Sequence, residues 1–301
     1  MNNVSQTYKS LDTEEFLDIH FYRKVGYLIA KASEKASITP NTLTIISIFW
    51  GVLAGHLFYY ENIWINIVGI ISLVIANSLD SADGQLARMT NNKTQLGRIL
   101  DGLAGNFWFV SIYIHFALRL QNEGYGSWIW GFAALTGFFH IFQAAVADYY
   151  RNAHLFFIKG VSGSEFDNST KVIEQYNQLT WKNDFINKLF LANYKNYVKQ
   201  QEILTKNLQR LVSTVKELYP NQLPDWLIQS FRNDNKPLMK YTNILTFNTR
   251  AIVIFISVLT GHLIWYWIFE ITVLNLIFLY MVIRQEIISK HHLTLVLNAK
   301  N

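Results

Sequence analysis

The sequence predicts an all-α, polytopic membrane protein, and three observations predict it. Apolar runs long enough to cross a bilayer recur along the chain. Hydrophobic residues make up 51% of the 301 positions and charged residues only 16%, against roughly 25% charged in soluble domains. Lysines and arginines collect on one side of the apolar runs. The lack of cysteine excludes disulfides, zinc thiolate sites and thiol catalysis.

Residues 1–38 hold no apolar core flanked by a cleavage site, which argues against a cleaved signal peptide. Asp12 with Glu15 reads as a helix N-cap pair. Leu17, Phe21, Val25 and Leu28 then recur on one face, with Arg23, Lys24 and Lys31 elsewhere, as in an amphipathic helix lying on the membrane surface. Residues 39–150 hold four expected spans. Thr39-Pro40-Asn41-Thr42 opens the first, proline being well placed near a helix start, and it runs to about Tyr60. The second runs from about Trp64 to Leu79, the third from Ile99 to Leu118, and the fourth from Trp128 to Ala147. Residues 151–245 form a polar helical insertion. Within it Tyr197, Leu204, Leu208, Leu211, Val215 and Leu218 follow alternating four- and three-residue steps, the mark of one long helix with a coiled-coil-like seam. Pro220 and Pro224 end it. The seam packs on Val172–Phe190, or it joins a homodimer or covers the site. Residues 246–284 hold two further spans, about Thr249–Trp267 and Ile268–Ile283, and 285–301 form a tail.

Six spans put both termini on one side. Of 26 lysines and arginines, 25 fall on that side and Arg119 alone on the other, so by the positive-inside rule that side is cytoplasmic. Tryptophans 64, 128, 130, 265 and 267 fall near the opposite side, as an interfacial belt would. The net charge of +5 is then topology and attraction to anionic headgroups, not a sign of nucleic-acid binding.

The stretch Asp80-Ser81-Ala82-Asp83-Gly84-Gln85-Leu86-Ala87-Arg88, followed by Gly97 and Asp101, carries the chemistry. Ionisable groups at the edge of apolar segments cost several kcal/mol if buried unpaired, so they mark a site by default. Positions 80, 83, 84, 87 and 88 share one helical face. Gly97 and Asp101 are i, i+4 on a second helix, after a gap centred on Asn91-Asn92. Two helices meeting at that turn aim Asp80, Asp83 and Asp101 at one point, the outline of a divalent-metal site. Mg²⁺ favours such carboxylates together with substrate phosphates. Gly84 and Ala87 leave room for a phosphate beside the acids.

The spacing Asp-x2-Asp-Gly-x2-Ala-Arg-x8-Gly-x3-Asp resembles the signature of the CDP-alcohol phosphotransferase (phosphatidyltransferase) family. These integral-membrane enzymes move a phosphate-linked group from a CDP-alcohol to a hydroxyl acceptor and release CMP. The resemblance implies a lipid-biosynthetic transferase that uses Mg²⁺ or Mn²⁺, with Asp80, Asp83 and Asp101 as metal ligands. It also implies a CDP-alcohol such as CDP-diacylglycerol as donor, an acceptor left unnamed, and Asn41, Gly84, Ala87, Arg88 and Gly97 around the nucleotide and phosphates. Arg88 would clamp a phosphate oxygen through its planar fork, and Asn41 would meet the cytosine edge. One position departs from the pattern. The family's fourth aspartate, read there as a metal ligand and base, falls at Gly105, and no carboxylate lies between Asp101 and Glu123. Asn106 sits about 100° further round the helix and its amide accepts no proton at neutral pH. The alternative is therefore a relative that binds CDP-alcohol or lipid without turnover.

Three other features carry less. His115 and His140, within the third and fourth spans, read as helix-to-helix hydrogen bonds. Asp148-Tyr149-Tyr150-Arg151 reads as an interfacial ion pair or as part of an acceptor site. A transporter would need deeper charges in several spans and broken helices, and ranks last.

Overall fold

The computed structural model describes residues 10–92, 94–160 and 169–299, and of Gln95, Leu96 and Arg98 the backbone alone. Among the described residues the regular elements are helices, with no strand. Helices Ile63–Met89, Ile99–Tyr125, Trp128–Lys159, Asp225–Thr260 and Ile264–Asn298 are long and apolar enough to cross a membrane. The sequence leads one to expect about six. The difference is the first, helix Pro40–Leu57, whose 18 residues reach about 27 Å, within the length range of a spanning helix, so polarity and not length sets it apart. Pro40, Asn41 and His56 dilute its apolar character.

The helices fall into two units, each with its own core. The first comprises Glu14–Ile141 with Arg250–Ile271. It holds α1 (Arg23–Lys35), α2 (Pro40–Leu57), α3 (Ile63–Met89), α4 (Gln95–Leu120) and the start of α5 (Trp128–Lys159). α1 follows a wide turn, Asp18–Tyr22, that carries no side-chain cap. It buries Tyr22, Gly26, Ala30 and Ser33 and packs on α3, where a Cβ on Gly26 would lie 2.9 Å from Ser81 Oγ. Phe21 and Leu28 face outward, 44% and 68% exposed. The expected Asp12–Glu15 cap does not form. Asp12 belongs to the second unit, where its carboxylate pairs with Arg232 at 2.6 Å, Lys236 at 3.1 Å and His154 at 3.3 Å.

Small residues let α2 lie against α4. A Cβ on Gly51 would sit 2.0 Å from Trp108 Cδ1, and one on Gly55 2.4 Å from Ser111 Oγ. Arg119, the lone cation expected on its side, closes the α2–α3 turn by donating to the carbonyls of Tyr60 (2.8 Å) and Phe58 (3.3 Å) and to Glu123 (2.9 Å). His140 meets the Tyr113 hydroxyl at 2.9 Å, a helix-to-helix hydrogen bond between α5 and α4. Tyr113 reaches Tyr266 at 3.0 Å, and the Tyr266 hydroxyl donates to Glu270 at 3.1 Å. Arg250 donates to both oxygens of Glu270 at 3.1–3.2 Å, with both side chains fully buried. Such charges persist at membrane depth only when paired. Trp64, Trp128 and Trp265 are exposed, but Trp267 is buried among Phe116, Phe132 and Tyr113 and does not join the aromatic belt.

The second unit comprises 10–13, Phe142–Thr249 and 272–299. It contains α6 (Ser169–Gln178), α7 (Phe185–Ile203), α8 (Lys206–Leu218) and α9 (Asp225–Ile244), with α12 (Asn275–Asn298). The expected single helix through residues 197–218 is broken between α7 and α8. Thr205 takes a non-helical backbone, and Glu286 of α12 accepts the N–H groups of Asn207 (2.8 Å) and Leu208 (3.3 Å). A carboxylate there satisfies donors that a helix start leaves free and complements its dipole. Leu208, Leu211 and Val215 are buried as α8 packs on α12, so the seam is used within the chain and not on Val172–Phe190. That stretch is itself two helices, α6 packing on α7. The last expected span boundary, at 267/268, also moves. α10 (Phe247–Thr260) ends at Gly261, whose φ of +73° suits glycine, and α11 (Ile264–Phe269) runs through a wide turn into α12.

Candidate functional site

The site is built at the turn from α3 to α4, within the first unit. Residues 63–89 stay helical through the acidic stretch because its apolar side packs inward: Ala82 and Leu86 are buried with Ala30 and Leu43. Asn91, at φ +53°, reverses the chain after Thr90; asparagine tolerates this left-handed conformation better than most side chains. The Asn92 N–H donates to the Ala87 carbonyl at 3.0 Å. Thr94 then caps α4, its hydroxyl oxygen accepting the Gly97 N–H at 3.0 Å. A tight reversal with a capped restart brings Asp101 back over Asp80 and Asp83.

Each of the three carboxylates offers an oxygen within 4.8 Å of the others. Asp83 is buried, Asp80 half-buried and Asp101 exposed, so the cluster opens on one side. Three like charges this close repel strongly unless a cation or protons intervene. Asp80 Oδ1 is buried without a hydrogen-bond partner, as a group reserved for a ligand would be. Oxygen-only donors in this number suit a hard divalent cation that keeps other positions for water or phosphate.

The neighbouring side chains organise this cluster. The Thr44 hydroxyl of α2 donates to Asp83 Oδ2, which fixes the deepest carboxylate. Arg88 folds back along α3, with Nη1 3.4 Å from where a Cβ on Gly84 would sit. A Cβ on Gly97 would lie 3.0 Å from Asn41 Oδ1, so the start of α2 meets the start of α4. The expected residues thus gather as two close pairs, Gly84 with Arg88 and Gly97 with Asn41, around the three acids. Ala87 is half-buried on the α3 face. Gly105 follows one turn beyond Asp101, and a Cβ there would meet nothing within 4 Å.

Two residues near the cluster are not evident from the sequence. Thr44 carries a signal only in its position one turn after Asn41. Arg23 reads as part of a solvated helix face, yet it pairs with Glu14 at 2.9 Å. Burial works to lower its guanidinium, but Glu14, Asp18 and Asp80 hold it above its ordinary range. Conversely, Asp148 does not pair with Arg151. In the second unit its Oδ2 accepts from Tyr197 (2.8 Å), Asn152 (3.2 Å) and Gln201 (3.4 Å), while Arg151 donates to Asn243 at 3.0 Å.

The family comparison falls on the same part of the chain. Residues 37–154 match the family described as CDP-alcohol phosphatidyltransferase. The archaetidylinositol phosphate synthase of Pyrococcus horikoshii is 37% identical over 90 residues, 30% of this chain and 46% of that protein. An uncharacterized protein of Aquifex aeolicus is 32% identical over 94 residues, again 30% of this chain and 46% of the relative. The chain therefore spans less than half the length of these relatives. No solved structure matches it. The segment 37–154, which matches the CDP-alcohol phosphatidyltransferase family, holds the capped start of α2, the three gathered carboxylates and the α3–α4 turn.

Proposed function

We propose that the protein transfers a phosphatidyl or related phospho-alcohol group from a CDP-linked donor to a hydroxyl acceptor, releasing CMP, in phospholipid biosynthesis. The observation that carries this reading is the meeting of Asp80, Asp83 and Asp101 within 4.8 Å inside the matched segment. These three residues would hold Mg²⁺ or Mn²⁺. When bound, the ion would neutralise charge on the bridging oxygens, making CMP a better leaving group and the phosphorus a better target. Arg88 binds a phosphate oxygen, and Gly84 and Ala87 admit the diphosphate beside the acids. Asn41, next to Gly97, orients the nucleotide. Thr44 holds Asp83 in place. With glycine at 105, the acceptor's proton passes to a substrate phosphate or to one of the three aspartates.

The distribution of lysine and arginine supports a cytoplasmic side for the carboxylates and both termini, with 151–245 as a cytoplasmic insertion between 39–150 and 246–284. The name of the P. horikoshii relative points to a phosphorylated inositol lipid as product. Glycerol phosphate, serine, inositol, inositol phosphate and sphingoid lipids form the acceptor panel. Purified protein given CDP-diacylglycerol and Mg²⁺ should release CMP with at least one of these acceptors. A second reading, binding of CDP-alcohol without turnover, is favoured by the open space at Gly105. Mg²⁺-dependent donor binding with no CMP from any acceptor selects it.

A further inference from the structure

α2 carries a second set of ligand-type side chains that the proposed reaction does not use. His56 lies in its last turn and faces His115 of α4. His56 Nδ1 and His115 Nε2 are 3.2 Å apart, with the ring planes crossing at 82°. Thr44, which touches Asp83, is twelve residues earlier, roughly 18 Å down the helix axis. The histidine pair is thus remote from the carboxylates.

The His115 ring is oriented from behind. His115 Nδ1 is 2.8 Å from the Ser111 carbonyl, and a carbonyl only accepts, so Nδ1 carries the proton. Nε2 of a neutral His115 therefore presents its lone pair to His56. A backbone carbonyl behind an imidazole is the usual device for orienting a metal-binding histidine. His56 is exposed, and its Nε2 lies 3.5 Å from the Tyr60 hydroxyl. Moving one proton from its Nδ1 to Nε2 frees a second ring-nitrogen lone pair 3.2 Å from that of His115. Nitrogens bound at about 2.0–2.1 Å to a tetrahedral ion stand roughly 3.3 Å apart.

The spacing is held by the backbone. Gly55 brings α2 so close to α4 that a Cβ would meet Ile112 N at 2.7 Å, and the Ser111 hydroxyl donates to the Val52 carbonyl at 2.8 Å. We propose that His56 and His115 form a site for a borderline transition-metal cation of the Zn²⁺ or Cu²⁺ class, completed by solvent, that staples α2 to α4. Imidazole ligands favour these ions, whereas the carboxylate cluster favours Mg²⁺ or Mn²⁺.

The test uses the full chain without a polyhistidine tag, in nanodiscs with millimolar Mg²⁺. One equivalent of Cu²⁺ should give an electron paramagnetic resonance spectrum split by two imidazole nitrogens. His56→Gln and His115→Gln should each lose that pattern and weaken Zn²⁺ binding at least about tenfold. Diethylpyrocarbonate labelling of the wild type, mapped by mass spectrometry, covers the case in which a variant fails to fold: Zn²⁺ should protect His56 and His115. A wild type without two-nitrogen splitting overturns the proposal. So does a pattern that survives both substitutions, or a His56 that Zn²⁺ leaves unprotected.

Discussion

Replacing Gly105 with aspartate should raise CMP release, or create it, by about 10²- to 10⁴-fold, the usual contribution of a positioned general base. That corresponds to about 3–5 kcal/mol off the barrier. Position 105 lies one turn beyond Asp101, about 6 Å along α4 and about 40° round it, on the side that faces the other two acids. A Cβ there meets no heavy atom within 4 Å, so the new side chain enters without displacing a neighbour. The fold should tolerate it. Aspartate is a better helix residue than glycine by a few tenths of a kcal/mol, which offsets repulsion from Asp101 at i, i+4 of about 0.2–0.5 kcal/mol. CMP release and donor affinity are measured on wild type and Gly105→Asp at saturating Mg²⁺. A variant that binds donor normally yet turns over no faster refutes the missing-base reasoning. A raised acceptor KM alone would instead mean that the glycine makes room for the acceptor.

Gly51→Ala places a methyl 2.0 Å from the Trp108 ring and should cost about 1–3 kcal/mol, read as a lower denaturation midpoint in detergent. The Arg232 guanidinium, with Lys236 and His154, holds the Asp12 carboxylate below its usual range against the opposing effect of burial. Its stabilising contribution is therefore complete above about pH 4 and lost as pH falls further. Asp12→Asn should flatten the acid limb of the stability–pH curve and lower stability at neutral pH; an unchanged acid limb would contradict that pairing. Cysteine at Asn92 should react with impermeant reagents from the cytoplasmic side and cysteine at Asn122 from the other; labelling of Asn122→Cys from the cytoplasm would overturn the orientation.

The site was legible in the sequence because it is local. Asp80, Asp83 and Asp101 sit on two helices joined by one short turn, so helical periodicity and the turn signal at Asn91-Asn92 suffice to bring them together. What the sequence hid depends on distant partners. The break between α7 and α8 arises where Glu286, 79 residues on, caps a new helix. The seam of Leu208, Leu211 and Val215 has the right period for a coiled coil, and period does not distinguish a partner chain from α12. Asp12 has the local pattern of a helix cap, but Arg232 and Lys236 claim its carboxylate from 220 and more residues away. Arg250 and Glu270 did carry a signal, as charges at the edges of apolar runs, although nothing local shows that they pair. The first span shows the limit of reading by hydropathy, since its polar ends make contacts of their own: Asn41 meets Gly97, and His56 meets His115.

Binding of CDP-diacylglycerol in the presence and absence of Mg²⁺, by wild type and by Asp80→Ala, Asp83→Ala and Asp101→Ala, tests the central claim most directly. Wild-type affinity should depend on Mg²⁺, and each substitution should abolish that dependence while the protein keeps its helical content. Any one of the three variants, correctly folded, that retains wild-type affinity and Mg²⁺ dependence would contradict the assignment of the carboxylate cluster as the divalent-cation site.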